Sequence, residues 1–223
     1  MTEKTQKVNK MAAVFLILMT VLSFANLIKI ETEDGLLKLA GLVVVIGVVA
    51  FFLTRKTNDS KDEGLNIKTC PSQLKNKKVI ILMLIPVILD ILTIYIDKAF
   101  FPEVTEHMLA RLPFEIDPSK IIPILIELLF VPLGEEIALR AFYQKQSAKR
   151  IGFVPALLIT SFIFAMGHFS YDNPVVVVLD LAGVFIDSIF FGLIFKETDN
   201  AWCSWISHSL ADIAAVIVIL FFV

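Results

Sequence analysis

Three short constellations in this chain have residue types and spacings that could do chemistry: Glu135-Glu136-x-x-x-Arg140, Phe164-x-x-x-His168 and His208-x-x-x-Asp212. Each interrupts an otherwise apolar stretch. A charge at the centre of a membrane helix costs roughly 2.5–3.5 kcal/mol even on lenient insertion scales, so three charges in six residues require partners, water or chemistry. Glu136 and Arg140, at i and i+4 with the acid first, are spaced for an ion pair that neutralises one carboxylate. Glu135 is turned by about 100° from Glu136 on a helix of 3.6 residues per turn, so it can face a cavity while its neighbour is engaged elsewhere. A carboxylate beside a histidine is what general-base activation of water uses. His208 and Asp212 share one helix face, where the acid can orient the imidazole or share a metal with it.

The elements that must position these groups follow from composition. The chain of 223 residues is 57% hydrophobic with mean hydropathy +0.80, above the roughly 45–50% apolar content of soluble domains. The reading is an all-α polytopic membrane protein. A span needs about 20 mostly apolar residues, and seven stretches qualify: 11–28, 36–53, 79–96, 121–143, 153–168, 174–195 and 201–223. With the N-terminus placed in the cytoplasm, fifteen of the 20 Lys and Arg fall on the inner side, as the positive-inside bias expects. Three segments are expected: 1–78 with two spans and a basic loop, 79–120 with the third span and an acidic outer loop, and 121–223 as a four-span catalytic core. The loop 54–78 is expected to hold little fixed structure. Pro102, Pro113 and Pro118 break the 97–120 loop, which is expected to cap the outer face.

Ionisable residues concentrate in the later spans. The third span has Asp90 alone, whereas the fourth carries Glu127, Glu135, Glu136 and Arg140, the sixth Asp180 and Asp187, and the seventh His208 and Asp212. Such groups face a bundle interior or a water cavity, so the last four spans are expected to surround one. Arg150, Gly152 and Pro155 mark a hairpin turn between the fourth and fifth spans. Glu135 and His168 both lie about 24 Å from that turn at 1.5 Å per residue, and so can meet at one depth.

Other classes are weighed on the same residues. The net charge of −2 and a basic content explained by topology give no nucleic-acid partner. Cys70 and Cys203 map to the reducing cytoplasmic side with no metal or redox spacing. The first span, although Ser23-Phe24-Ala25 loosely fits a cleavage site, is longer than a signal h-region and reads as retained. A Glu–Arg pair can simply lock helices, single buried histidines are more often structural, and Asp180 and Asp187 read as cavity lining.

The three motifs, in this order and on three spans, resemble the CAAX prenyl protease and bacteriocin-processing family of intramembrane endopeptidases. The resemblance runs from about Ile121 to the C-terminus and includes the run from Phe191-Gly192 through Asn200-Ala201-Trp202 to His208. It implies that Glu135 and His168 activate the attacking water. His208 and Asp212 would stabilise the oxyanion or complete the site, with Glu136, Arg140 and Phe164 supporting. Asp212 stands where eukaryotic members have Asn, and an ionised Asp cannot donate to an oxyanion. Glu135, His168 and His208 could instead hold a zinc ion, but no His-Glu-x-x-His helix is present and metal-free water activation is favoured. The expected partners are the lipid bilayer and a membrane-embedded or lipid-delivered peptide, of CAAX, bacteriocin or pheromone type, in a bacterial plasma membrane. Two other readings remain open: a non-catalytic bacteriocin-immunity or scaffold protein, and a proton-coupled transporter using Glu127, Glu135, Asp180 and Asp187.

Overall fold

The computed structural model describes residues 3–25, 27–28, 31–32, 35–36, 40–57, 64–111 and 117–222. Pro113, named above for the shape of its loop, lies outside them, as do Lys29, Lys38 and Lys61 among the 20 basic residues counted for topology. Helices occupy the apolar stretches: α1 (Glu3–Ala25), α2 (Ala40–Thr57), a short α3 (Cys70–Gln73), α4 (Lys77–Phe100), α5 (Pro102–Arg111), α6 (Ile121–Glu135), α7 (Lys145–Ile151), α8 (Phe153–Gly167), α9 (Pro174–Thr198) and α10 (Ala201–Phe222). A two-residue antiparallel pair, Glu31–Thr32 with Gly35–Leu36, joins α1 and α2. Among the described residues four helices, α1, α4, α9 and α10, are long and apolar enough to cross a membrane. The apolar parts of α2 and α8 are shorter.

Local chemistry sets several boundaries. The Asn76 and Asn173 side chains accept from the backbone N–H of Lys78 and Val175, satisfying donors at the starts of α4 and α9 that no helical carbonyl can reach. Pro174, at the first position of α9, has no N–H to satisfy there. The expected turn between the fourth and fifth spans is present: α7 ends at Ile151 and α8 begins at Phe153. Gly152 between them has φ +83°, a conformation costly for a residue with a Cβ.

One departure from regular helix bears directly on the site. Between α6 and α7 the chain winds as a π-helix over Glu136–Gln144, so the predicted fourth span, 121–143, is made of two helical segments, α6 and the π-helix. All nine of its residues are buried, which explains how a wider and intrinsically poorer winding persists: tertiary packing holds it from every side. It packs against α2, α6, α8, α9 and α10.

Two expectations about loops resolve differently. The loop after α2 is more ordered than expected over its described part. Asn200 Nδ2 donates to the Asn66 carbonyl at 2.8 Å and to Gln73 Oε1 at 2.9 Å, and Ala201 N donates to the Gly64 carbonyl at 2.9 Å. One asparagine in the α9–α10 turn thereby holds a segment more than 120 residues away in sequence. There the two free cysteines meet, with Sγ atoms of Cys70 and Cys203 3.5 Å apart. The expected break at Pro102 is observed, since α5 starts there and packs on α4 and α9.

Candidate functional site

The cavity of the bundle, about 550 Å³, collects the residues that the motifs single out. Glu135 from the end of α6, His168 from the end of α8, and His208 and Asp212 from α10 all line it. It is broader than the expected four-span enclosure. Gly41, Val43 and Val44 of α2, Asp90 and Asp97 of α4, and Val104, Thr105 and Met108 of α5 line it too. The early helices contribute because α4 packs directly along both α9 and α10, which places Asp90, the lone acid of that span, inside.

His208 is the centre of the polar groups. Its Nδ1 lies 3.1 Å from Glu136 Oε1, while its Nε2 lies 3.7 Å from both Glu135 Oε2 and Asp212 Oδ2. The carboxylate accepts at Nδ1, so the hydrogen bond fixes the ring's orientation and leaves Nε2 toward the cavity. The 3.7 Å separations exceed a direct hydrogen bond. His168 is oriented from its own helix: Nδ1–H donates to the Phe164 carbonyl at 3.0 Å, which makes Nε2 the acceptor of the neutral ring.

The two adjacent glutamates divide as their rotation predicted. Glu135 lines the cavity, whereas Glu136 and Arg140 are fully buried at 0% exposure behind it. Arg140 Nε is 3.3 Å from Glu136 Oε2, and an Arg140 terminal nitrogen donates to Ser188 Oγ at 3.1 Å. The guanidinium also lies 5.2 Å from the Phe164 ring and 5.9 Å from that of Phe191. Phe191 in turn stacks on His208 at 4.4 Å and 19°, and Phe164 meets the same imidazole edge-on at 5.5 Å. With Phe191, Phe164 forms an aromatic wall between the buried cation and the imidazole.

Several of these roles were not legible in the motifs. Glu136 does more than cancel Arg140, since it is the group that orients His208. Ser188 and Phe191 belong to the site, and only the position of Phe191 in the run leading to His208 pointed to either. Gln144 Nε2 donates to the Gly192 carbonyl at 2.9 Å, and a Cβ at Gly192 would lie 2.6 Å from Gln144 Oε1. That close approach pins the π segment to α9, and with it Glu136 and Arg140. The three residues of the alternative zinc set, Glu135, His168 and His208, all line this cavity, and among the described residues no three His, Cys, Asp or Glu groups are gathered to hold a metal ion.

No curated protein and no solved structure matches the chain. A family model does match, over residues 117–214, and it is described as type II CAAX prenyl endopeptidase Rce1-like. The matched span contains all three motifs and every residue around His208 named above. Over those residues the chain is similar to the Rce1-like type II CAAX prenyl endopeptidases, a family of integral membrane proteases, and it is itself an integral membrane protein.

Proposed function

We propose that this protein is an intramembrane endopeptidase that hydrolyses a peptide bond of a membrane-embedded or lipid-delivered substrate with a water activated by Glu135 and His168. The observation that carries the reading is the convergence of Glu135, His168, His208 and Asp212, from three helices, on one cavity in an apolar bundle. Glu135 takes a proton from a water held between it and His168 Nε2, and the resulting hydroxide attacks the carbonyl carbon. Negative charge then develops on the carbonyl oxygen. His208, doubly protonated, donates from Nε2 to that oxygen while Glu136 holds Nδ1. Glu135, now protonated, returns the proton to the leaving amine as the C–N bond breaks. Asp212, one turn beyond His208, orients Nε2 rather than donating to the oxyanion. No metal takes part in this scheme.

Purified wild type and Glu135→Ala, incubated with candidate membrane peptides with and without a chelator, test it directly. The expected result is cleavage by the wild type irrespective of chelator and none by the variant. Cleavage by both proteins overturns the assignment of Glu135, and loss of wild-type cleavage on chelation overturns the metal-free scheme.

A further inference from the structure

The proposed hydrolysis uses two of the three histidines of the chain. The third, His107, belongs to a constellation of its own. It lies in the middle of α5, is buried at 5% exposure, and reaches the turn that joins α8 to α9. There its Nδ1 is 2.8 Å from Asp172 Oδ2, and its Nε2 is 3.1 Å from Ser170 Oγ. An ionised carboxylate only accepts, so Nδ1–H donates to Asp172, and in the neutral ring Nε2 is then the acceptor for the Ser170 hydroxyl. The hydrogen bonds run one way, from serine to imidazole to carboxylate. That is the connection of a serine nucleophile, its general base and the acid that fixes the base's tautomer, a constellation recognised by geometry and not by order in the chain.

The surroundings of the three residues fit the same chemistry. Asp172 is held in place, because its Oδ1 accepts from the Asn173 backbone N–H at 2.7 Å. Ser170 is partly exposed although the ring it meets is buried, so its hydroxyl can be reached. Among the described residues the backbone N–H groups of Ser170 and Tyr171 have no acceptor. The amides of a nucleophilic serine and of the residue after it are donors that such sites offer to a developing oxyanion. The reacting edge of the ring also faces the cavity: Asp180, which lines it, has Oδ2 3.8 Å from His107 Nε2. Thr105 and Met108 on either side of His107, and Phe169 before Ser170, line it as well. With Ile94 and Val104 they give that end of the cavity a largely apolar wall, the lining that an apolar ligand needs around a few placed polar groups.

We propose that Ser170, His107 and Asp172 form a second nucleophilic site, which hydrolyses a carboxylic ester whose apolar acyl chain lies in the α5 end of the cavity. Ser170 Oγ bonds to the carbonyl carbon as its proton passes to His107 Nε2. The C–O bond to the leaving alcohol then breaks, and that alcohol takes the proton from Nε2. A water next loses a proton to the same nitrogen and attacks the acyl-serine, which releases the acid as the proton returns to Ser170 Oγ. Asp172 is a positioning residue in this sequence, since it acts through the imidazole. The site is independent of Glu135 and His168, and so of the endopeptidase reading.

Fluorophosphonates, which phosphonylate activated serines with loss of fluoride, test the site in the full-length protein in detergent micelles. One probe carries its reporter on a decyl chain and the other on a short polar chain; the adduct is located by peptide mass spectrometry. The wild type is expected to be modified on Ser170, at least tenfold faster by the decyl probe. His107→Gln should slow the modification about a hundredfold or more by removing the base. Asp172→Asn keeps the shape of the side chain, but its amide can donate to Nδ1, which places the ring proton on Nε2, where it blocks acceptance from Ser170. It should slow the modification by a similar factor while leaving the unfolding transition close to that of the wild type, a split that a merely structural bridge does not produce. Absence of a Ser170 adduct in the wild type, or an adduct that forms at the same rate in either variant, overturns the nucleophilic site. Equal rates with the two probes overturn the assignment of an apolar acyl chain. Peptide cleavage by a wild type that forms no Ser170 adduct refutes this inference and leaves the endopeptidase reading standing.

Discussion

Replacing Arg140 by methionine removes the guanidinium buried against Glu136 while keeping much of the side-chain volume, and leaves the His208 ring as that carboxylate's remaining partner. The cost follows from what surrounds the pair. Both partners are 0% exposed, the Nε to Oε2 distance is 3.3 Å, and no solvent can replace the lost charge. Removing one member of a buried ion pair costs about 3–5 kcal/mol where the other is left uncompensated, and the His208 ring that remains on Glu136 keeps the cost toward the lower end of that range. That shifts the unfolding equilibrium by roughly two to four powers of ten. The loss of the Ser188 hydrogen bond and of the contacts with Phe164 and Phe191 falls within the same figure, since these groups act as one cluster. Glu136→Gln combined with Arg140→Met removes both charges and leaves an amide oxygen that can still accept from His208 Nδ1, so stability should return to within about 1–2 kcal/mol of wild type. The assay is reversible unfolding in mixed micelles followed by the fluorescence of Trp202 and Trp205, which lie 5.4 Å apart on α10. An Arg140→Met protein within about 1 kcal/mol of wild type, or a double variant no more stable than the single, refutes the view of Glu136 and Arg140 as a mutually dependent buried pair.

Gly192→Ala drives a Cβ toward Leu157 and Gln144 and should cost about 1–3 kcal/mol by overpacking, measured by the same unfolding assay; a neutral effect would mean that α9 and the π segment are not in close register. Asn200→Ala strips the bonds to Asn66 and Gln73 and should free the 64–73 segment, which limited proteolysis reads as faster clipping there with the helices intact. Asp172 lies outside the spans, and the Asn173 backbone N–H, then the His107 side chain, hold its carboxyl below the usual carboxylate range. A depressed carboxyl contributes stability that is present above its ordinary pKa and is lost as pH falls through the lowered value. The attachment of α5 should therefore weaken only on acidification below about pH 4; a fluorophore on Glu106→Cys reports it, and Asp172→Asn should abolish that pH dependence.

How much of this was legible in the sequence differs from residue to residue. Hydropathy identified the helical stretches, because a backbone in hydrocarbon has to satisfy its own hydrogen bonds and an apolar run of sufficient length does so as helix. Gly152 marked the hairpin turn, since its left-handed φ is local chemistry. The separation of Glu135 from Glu136 followed from helical rotation alone, and the three motifs pointed to the family that the 117–214 match names. These inferences concern neighbours in sequence, whose relation is set by one helix.

Tertiary structure decided the rest. The π winding over Glu136–Gln144 depends on packing from the surrounding helices, and nothing in nine consecutive residue types distinguishes it from α-helix. Glu136 meets His208 across 72 residues, so its part in orienting the imidazole is invisible to any local period. Asp90 and Thr105 enter the cavity because α4 and α5 pack on α9. The sequence by itself thus determined which groups are too polar for a membrane interior; the packing of helices, by deciding which of them share one low-dielectric space, determined which groups they act upon.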